Sequence, residues 1–373
     1  MVRTLGVEEE LLLVDPETRQ LGSRSPQVLK EFREHGAGRE DAVADDDLDR
    51  EMFRHQLEIR TSPETDLAEI RAQLLASRRH AAESAEAADL VILASGILPC
   101  GGLPLQVSDE DRYRRMLEVF GRVATHGGTC GRHVHVAIDS DDQGVAVIDR
   151  IAPWLPVLVA IAANSPFHEG ADTGYASWRS ESWGSWPSAA GTEQFGSLQG
   201  YRDACRFLME AGAALDEGML YLPARLSSGN PTVEVRVADV CTDPEDALVV
   251  AALVRGLVET AVGESGTERE PERWRAEALR ASQWRAARYG VSDRLVHPLR
   301  RELAPAREVL DAMADHVSAA LAEAGDSDLV AEGLARVSAR SGASQQRAAY
   351  ERTGHVEGVV DDLIERTRAS WDT

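Results

Sequence analysis

The stretch Gly6-Val7-Glu8-Glu9-Glu10-Leu11-Leu12-Leu13-Val14-Asp15 decides how the rest of the chain is read. Its apolar tail is that of a β-strand, and a strand sends successive side chains to opposite faces. Glu8 and Glu10 therefore share one face, and Glu9 looks the other way. Two carboxylates held that close repel, so a buried pair needs a cation or a shared proton. Hard divalent cations, which take oxygen ligands, meet that need. An edge strand with solvated acids would need neither, because carboxylate runs are commonly exposed faces. The companions of this strand weigh between the two.

Four later segments carry chemistry. Phe53-Arg54-His55-Gln56-Leu57-Glu58-Ile59-Arg60 is a second strand candidate bearing Glu58, with Glu51 shortly before it. The odd offset keeps Glu51 and Glu58 off one face of a regular strand, so Glu51 has to come from a loop or past a bulge. Cys130-Gly131-Arg132-His133-Val134-His135-Val136 sets His133 and His135 on one strand face. That pair suits a mixed nitrogen and oxygen metal site, or a hydrogen-bonding platform for a nucleotide. Thr232-Val233-Glu234-Val235-Arg236-Val237-Ala238-Asp239 shows Glu234 and Arg236 on one face and three valines on the other. They read as an ion pair, or as a metal ligand beside a charge clamp on phosphate. The run from Tyr175 to Pro187 places Trp178, Trp183 and Trp186 beside Arg179 in a polar, helix-poor setting, as a wall for substrate or nucleotide.

The 373 residues, 43% hydrophobic and 28% charged, are those of a globular protein with a substantial core. A net charge of −23 argues against nucleic acid or an anionic membrane as partner. Lys30 is the only lysine and no Gly-rich loop surrounds it, which leaves no P-loop or Schiff-base lysine. Cys100, Cys130, Cys205 and Cys241 are scattered without CxxC spacing and read as free thiols of a reducing cytoplasm. No apolar run is expected to reach the length of a membrane span, and the N-terminus has no signal pattern.

Periodicity predicts helices over 27–35, 62–89, 109–124, 201–215 and 244–261. The 62–89 helix opens on Ser62 as N-cap with Pro63 in its first turn. An acidic loop is expected over 41–49, a short strand over 90–95, and strands over 132–139 and 232–240. A buried helix over 145–163 is interrupted at Pro153 and Pro156, and 164–200 is a long irregular region. From 270 onward only helical periodicity is visible. The fold class is α+β, a mainly antiparallel sheet flanked by helices with a helical C-terminal layer.

Gly6-Val7-Glu8-Glu9-Glu10, Gln56-Leu57-Glu58, Cys130 to Val136, Tyr175 to Pro187 and Glu234-Val235-Arg236 follow one another in an order and spacing that resemble the glutamate–cysteine ligase 2 family. These are carboxylate–amine ligases related to glutamine synthetase. The resemblance is close over about residues 1–260 and looser in the tail, at Gln346-Arg347-Ala348. The chain departs from that pattern at Arg132 and at Ile97-Leu98-Pro99.

The resemblance implies a glutamine-synthetase-like fold forming one catalytic domain over 1–373. Its sheet-bearing ATP and metal core spans 1–262, and a helical part spans 263–373. It implies ATP and magnesium, with manganese as an alternative. Glu10, Glu51 and Glu58 would hold one metal site, and Glu8, His133 and Glu234 the other. Arg236 and Arg179 would serve the transferring phosphate, with His135 and Trp178 beside the nucleotide. It also implies amino-acid or other carboxylate and amine substrates, a homo-oligomer such as a dimer, and a cytoplasmic setting. Two other readings stay open: a zinc or manganese hydrolase built on His133, His135 and nearby acids, and a catalytically silent relative that binds nucleotide or an amino acid.

Overall fold

The computed structural model describes residues 2–36, 48–101, 106–108, 111–125, 128–189, 191–265 and 271–371. The opening motif forms β1, Leu5–Val14, at the heart of a seven-stranded sheet. In chain order it is joined by β2 (Leu48–Arg50), β3 (Gln56–Arg60), β4 (Val91–Leu93) and β5 (Gly131–Ala137). After a separate small hairpin of β6 (Phe167–His168) and β7 (Ala171–Asp172) come the last two sheet strands, β8 (Ala224–Leu226) and β9 (Thr232–Asp239). The strand order is β2-β3-β1-β5-β9-β8, with β4 pairing the end of β1. Every pairing in it is antiparallel.

Alternation along the strands gives the sheet two different faces. Val7 of β1, Val134 and Val136 of β5, and Val233 and Val235 of β9 join one apolar cluster with helix Pro244–Ser265. That helix is buried along most of its length, so it reads as apolar all round. The far half of β1, Leu11 to Val14, joins a second cluster with Val359, Val360 and Leu363 of helix Val356–Ala369.

Several expectations are corrected. The Ser62 N-cap is not used: Leu5 and Glu64 exchange backbone hydrogen bonds, which hold 61–66 extended against the sheet. The helix begins instead at Leu67, capped by the side chain of Asp66. Of the acidic loop over 41–49, residues 41–47 lie outside the described residues, and Leu48 and Asp49 belong to β2. The segment 164–200 holds the β6–β7 hairpin and a short helix, Trp178–Trp183, capped by Ser177, so the tryptophan run is not helix-poor. The tail is not purely helical: Arg294–Val296 and Leu303–Pro305 pair as β10 and β11. These strands are three residues each, too short for a period of two to register. The helical periodicity over 345–368 belongs to two helices, Gly342–Thr353 and Val356–Ala369, parted at Gly354 in the left-handed region.

The apolar run around Pro153 also exceeds its expected length. Helices Asp141–Ile151 and Leu155–Ala162 join through a 3₁₀ turn at Ala152–Trp154. The resulting run, Asp141–Ala162, is long and apolar enough to cross a membrane, yet 83% of its apolar window is buried inside the protein. It is a core element, packed on β9 and on helix Pro244–Ser265. The four cysteines are unpaired.

Candidate active site on the carboxylate face of the sheet

Four adjacent strands, β3, β1, β5 and β9, bring their polar side chains to one patch. The register sets Glu10 opposite Glu58, Glu8 opposite His133, and His135 opposite Glu234. Neighbouring strands lie roughly 4.8 Å apart, so donors directly across from one another come within reach of a shared cation. Glu51 follows β2 directly, and the β2–β3 pairing folds it back toward Glu58. The parity problem therefore disappears: Glu51 and Glu58 sit on two arms of a hairpin, not along one strand.

Three donor sets have all their ligand atoms within 4.8 Å of one another: Glu10, Glu51 and Glu58; Glu8, Glu58 and His133; and Glu8, His135 and Glu234. His133 Nδ1 is also 3.0 Å from Glu8 and 3.7 Å from Glu234. His135 thus lies beside two of the carboxylates that His133 approaches, Glu8 and Glu234. The Nε2 atoms of both histidines are buried with no hydrogen-bond partner. They lie 3.9 Å from Glu10 and 3.4 Å from Glu8 respectively. Mostly oxygen donors with imidazole nitrogens free of hydrogen bonds among the described residues fit a hard divalent cation that tolerates nitrogen.

The electrostatics describe a site short of positive charge. Burial, then the charge of Glu10, raises the Glu51 carboxyl to about 7. Burial, then Glu51 and Glu8, pushes Glu58 well above the carboxylate range, although Arg60 pairs with it. Burial also works against Glu8 and Glu234, but is overcome. His133 and His135 hold Glu8 far below the usual range, and Arg236 and Arg225 do the same for Glu234. Burial, aided by Arg236, lowers His133.

Arg236 bonds Glu234 directly, and Arg179 is buried with its Nη2 3.5 Å from the Arg236 carbonyl. A Cβ added at Gly131 would lie 2.0 Å from Arg179 Nη2, so this glycine makes room for the guanidinium. The Gly131 amide also donates to Glu10 at 2.6 Å. Arg179 lies over the Trp183 ring at 5.7 Å. Trp183 and Trp186 pack on Tyr221, at 4.6 and 5.3 Å. Trp178, expected beside the nucleotide, stacks with His168 and meets Tyr175 edge-on.

Two residues escaped the sequence reading. Arg60 reaches Glu58, Glu8 and Asp49; its position two residues after Glu58, on the same strand face, was the available signal. Arg225 on β8 grips Glu234 with both arms, at 2.7 and 3.2 Å, and donates to the carbonyls of Glu217, Gly218 and Leu220. Nothing local marks it, because only the β8–β9 register sets it opposite Glu234. Behind the sheet, Glu9 is fully buried, held at both oxygens by Arg78 at 2.8 and 3.0 Å, with Arg132 at 3.5 Å.

Comparison with known proteins agrees with this geometry. The chain is 60% identical over 372 residues to a Nocardioides sp. protein that carries the provisional name glutamate–cysteine ligase 2-1, covering all of this chain and 97% of that one. Among solved structures it resembles a glutamate–cysteine ligase from Francisella tularensis in complex with AMP, at 12% identity and TM-score 0.70, over 100% of this chain and 90% of that one. It also resembles a bifunctional glutathione synthetase from Pasteurella multocida, at 15% identity and TM-score 0.71, over 100% of this chain and 52% of that one. At such identities the likeness speaks for the fold, which is the glutamine-synthetase-like one expected from the sequence. The model of glutamate–cysteine ligase family 2 matches residues 4–366, and the chain belongs to that family.

Proposed function

We propose that the protein is an ATP-dependent carboxylate–amine ligase, acting as a (weak) glutamate–cysteine ligase that yields γ-glutamylcysteine and ADP. The observation that carries the reading is the convergence of Glu8, Glu10, Glu51, Glu58, His133, His135 and Glu234 beside Arg236 and Arg179, in a chain of this family. Nothing in the comparisons favours the hydrolase alternative. The intact set of donors argues against a silent relative.

In the first step a substrate carboxylate oxygen attacks the γ-phosphorus of ATP, the bond to the β-phosphate oxygen breaks, and ADP leaves. In the second, an amine attacks the acyl carbon, phosphate departs with its oxygen, and the amine loses a proton. Phosphoryl transfer depends on positioning and charge neutralisation, not on a covalent enzyme intermediate. That demand suits a chain with no catalytic lysine. Magnesium, or manganese, would be held by Glu10, Glu51 and Glu58 and by Glu8, Glu234 and the two histidines, and when bound it neutralises phosphate charge. Arg236 and Arg179 supply fixed positive charge at the transferring group. Trp183, Trp186 and Tyr221 wall the approach beside Arg179, with Trp178 beside the nucleotide. Residues 1–373 act as one catalytic unit, in a homo-oligomer.

The test is phosphate release from Mg-ATP against a panel of carboxylates and amines, with Glu234→Gln as control. Release that requires both substrates and vanishes in Glu234→Gln upholds the reading, and the best pair names the product. Nucleotide binding with no turnover for any pair, or turnover that needs no ATP, overturns it.

A further inference from the structure

The C-terminal helical layer has no part in the chemistry above, yet two of its residues grip the segment that delivers Arg179. Gln346, fully buried on helix Gly342–Thr353, donates from Nε2 to the carbonyl and the side-chain oxygen of Asn164, at 2.9 and 3.0 Å. Its neighbour Arg347 holds both oxygens of Asp172 on β7, at 2.8 and 2.9 Å, and donates to the Tyr175 carbonyl at 2.8 Å. These contacts bracket residues 164–175, which lead directly into helix Trp178–Trp183.

From Asn164 a chain of buried hydrogen bonds runs to Arg179. The Asn164 amide donates to Asp239 Oδ2 at 2.9 Å, and the Ser165 hydroxyl donates to the same oxygen at 2.7 Å. The Ser177 hydroxyl donates to Asp239 Oδ1, also at 2.7 Å. Each hydroxyl then accepts from the start of the helix: Ser165 from the Arg179 amide at 3.1 Å, Ser177 from the Ser180 amide at 3.2 Å. Asp239 ends β9 and pairs with Gly131, the residue over which the Arg179 guanidinium lies. A second C-terminal helix, Ala276–Tyr289, holds the segment from the other side. Its Ala287 carbonyl accepts from the amides of Ala176 and Ser177, at 2.8 and 2.9 Å.

A buried arginine has many rotamers, and its guanidinium serves a phosphate only when the backbone beneath it is fixed to within a fraction of an ångström. We infer that Gln346 and Arg347 are positioning residues: Gln346, through Asn164, Asp239 and the Ser165 and Ser177 hydroxyls, and Arg347, through Asp172 and the Tyr175 carbonyl just ahead of Ser177, set where the Arg179 guanidinium stands over Gly131. The inference rests on the reading of Arg179 as a phosphate-contacting residue. It makes the C-terminal layer part of the active site's frame.

The experiment is a double-mutant cycle between Arg347 and Arg179, read by calorimetric titration with Mg-ATP and Mg-ADP and by phosphate release. Arg347→Ala, Arg347→Lys, Arg179→Ala and Arg347→Ala with Arg179→Ala are compared with the wild type. Asp172→Asn serves as a second way of breaking the grip, because both partners are partly exposed and the pairing lies outside the core. Arg347→Ala and Asp172→Asn are expected to reduce the preference for ATP over ADP by about five- to tenfold, with Arg347→Lys recovering part of it. Adding Arg347→Ala to Arg179→Ala is expected to change nothing further. Losses that multiply in the double variant, or no loss in either single variant, overturn the inference. Failure of the ligase reading looks different. The wild type would then bind nucleotide without releasing phosphate for any substrate pair, and the affinity cycle would still decide the positioning role.

Discussion

His55 gives the sharpest quantitative test of the structure. It lies in the turn between Glu51 and Glu58, is fully buried, stacks on Phe53 with ring centroids 5.3 Å apart, and has no partner among the described residues for either ring nitrogen. Burial lowers its pKa from 6.5 to about 3. A group whose folded pKa is depressed contributes stability that is fully present above the unfolded pKa and lost as pH falls toward the folded one. The window is therefore pH 6.5 down to about 3, and the full loss is about 5 kcal/mol at 1.36 kcal/mol per unit. Between pH 8 and pH 5 the loss is about 2 kcal/mol. His55→Phe removes the titration and keeps a ring on Phe53; His55→Gln does so without adding bulk. Urea unfolding of each protein at pH 8, 6.5 and 5 isolates the effect, because all other titrating groups are shared. The stability of the variant minus that of the wild type is expected to rise by about 2 kcal/mol from pH 8 to pH 5. A difference that does not change with pH would mean that His55 takes up its proton in the folded protein, and the dry turn described here would be refuted.

Two further substitutions probe the site, the first separating activity from stability and the second coupling them. Gly131→Ala sets a methyl 2.0 Å from the Arg179 guanidinium, the far end of a flexible side chain, so the arginine moves and the fold gives way little. Turnover is expected to fall on the order of a hundredfold with a melting temperature near that of wild type; unchanged turnover would show that Arg179 does not act over Gly131. Arg225→Met removes one of the two arginines that balance the buried Glu234 carboxylate, which costs on the order of 3 kcal/mol. Arg236 is then the sole arginine on Glu234, so KM for ATP rises together with the loss of stability in urea; a variant with normal KM would separate Arg225 from the site.

What the sequence made legible was whatever follows from the period of a single strand. Alternation alone divided Glu8 and Glu10 from Glu9, matched His133 with His135, and set Glu234 with Arg236. The sites that depend on which strand lies beside which were not legible. Glu51 looked misplaced until the β2–β3 hairpin supplied its return, and Arg225 carries no local mark because β8 is three residues long. Helix ends failed for a related reason. Ser62-Pro63 is a sound local start, but the pairing of Leu5 with Glu64 claims that backbone for the sheet first. The tryptophan run was legible only as a group: the short helix turns Trp183 and Arg179 together and sets Trp178 against Tyr175 and His168, a division the spacing alone does not show.

The two faces of β1 show why the fold tolerates so many buried acids. Glu9, behind the sheet, is neutralised for good: Arg78 grips both its oxygens and also donates to the carbonyls of Cys241 and Thr242. The front carboxylates are compensated differently. Arg60 reaches out from the rim of the site, 40% of its side chain exposed, and Arg236 holds Glu234 with its Nε left without a partner. Of the two, Arg60 is the more exposed and Arg236 is buried against Glu234. Arg225, pinned by three carbonyls, stays with Glu234 throughout. A carboxylate held by backbone-anchored arginine on one face and a cluster of acids only partly compensated on the other is the arrangement that the proposed cation-binding role requires. Among the described residues the Nε2 atoms of His133 and His135 have no hydrogen-bond partner, which leaves both nitrogens free for the proposed cation.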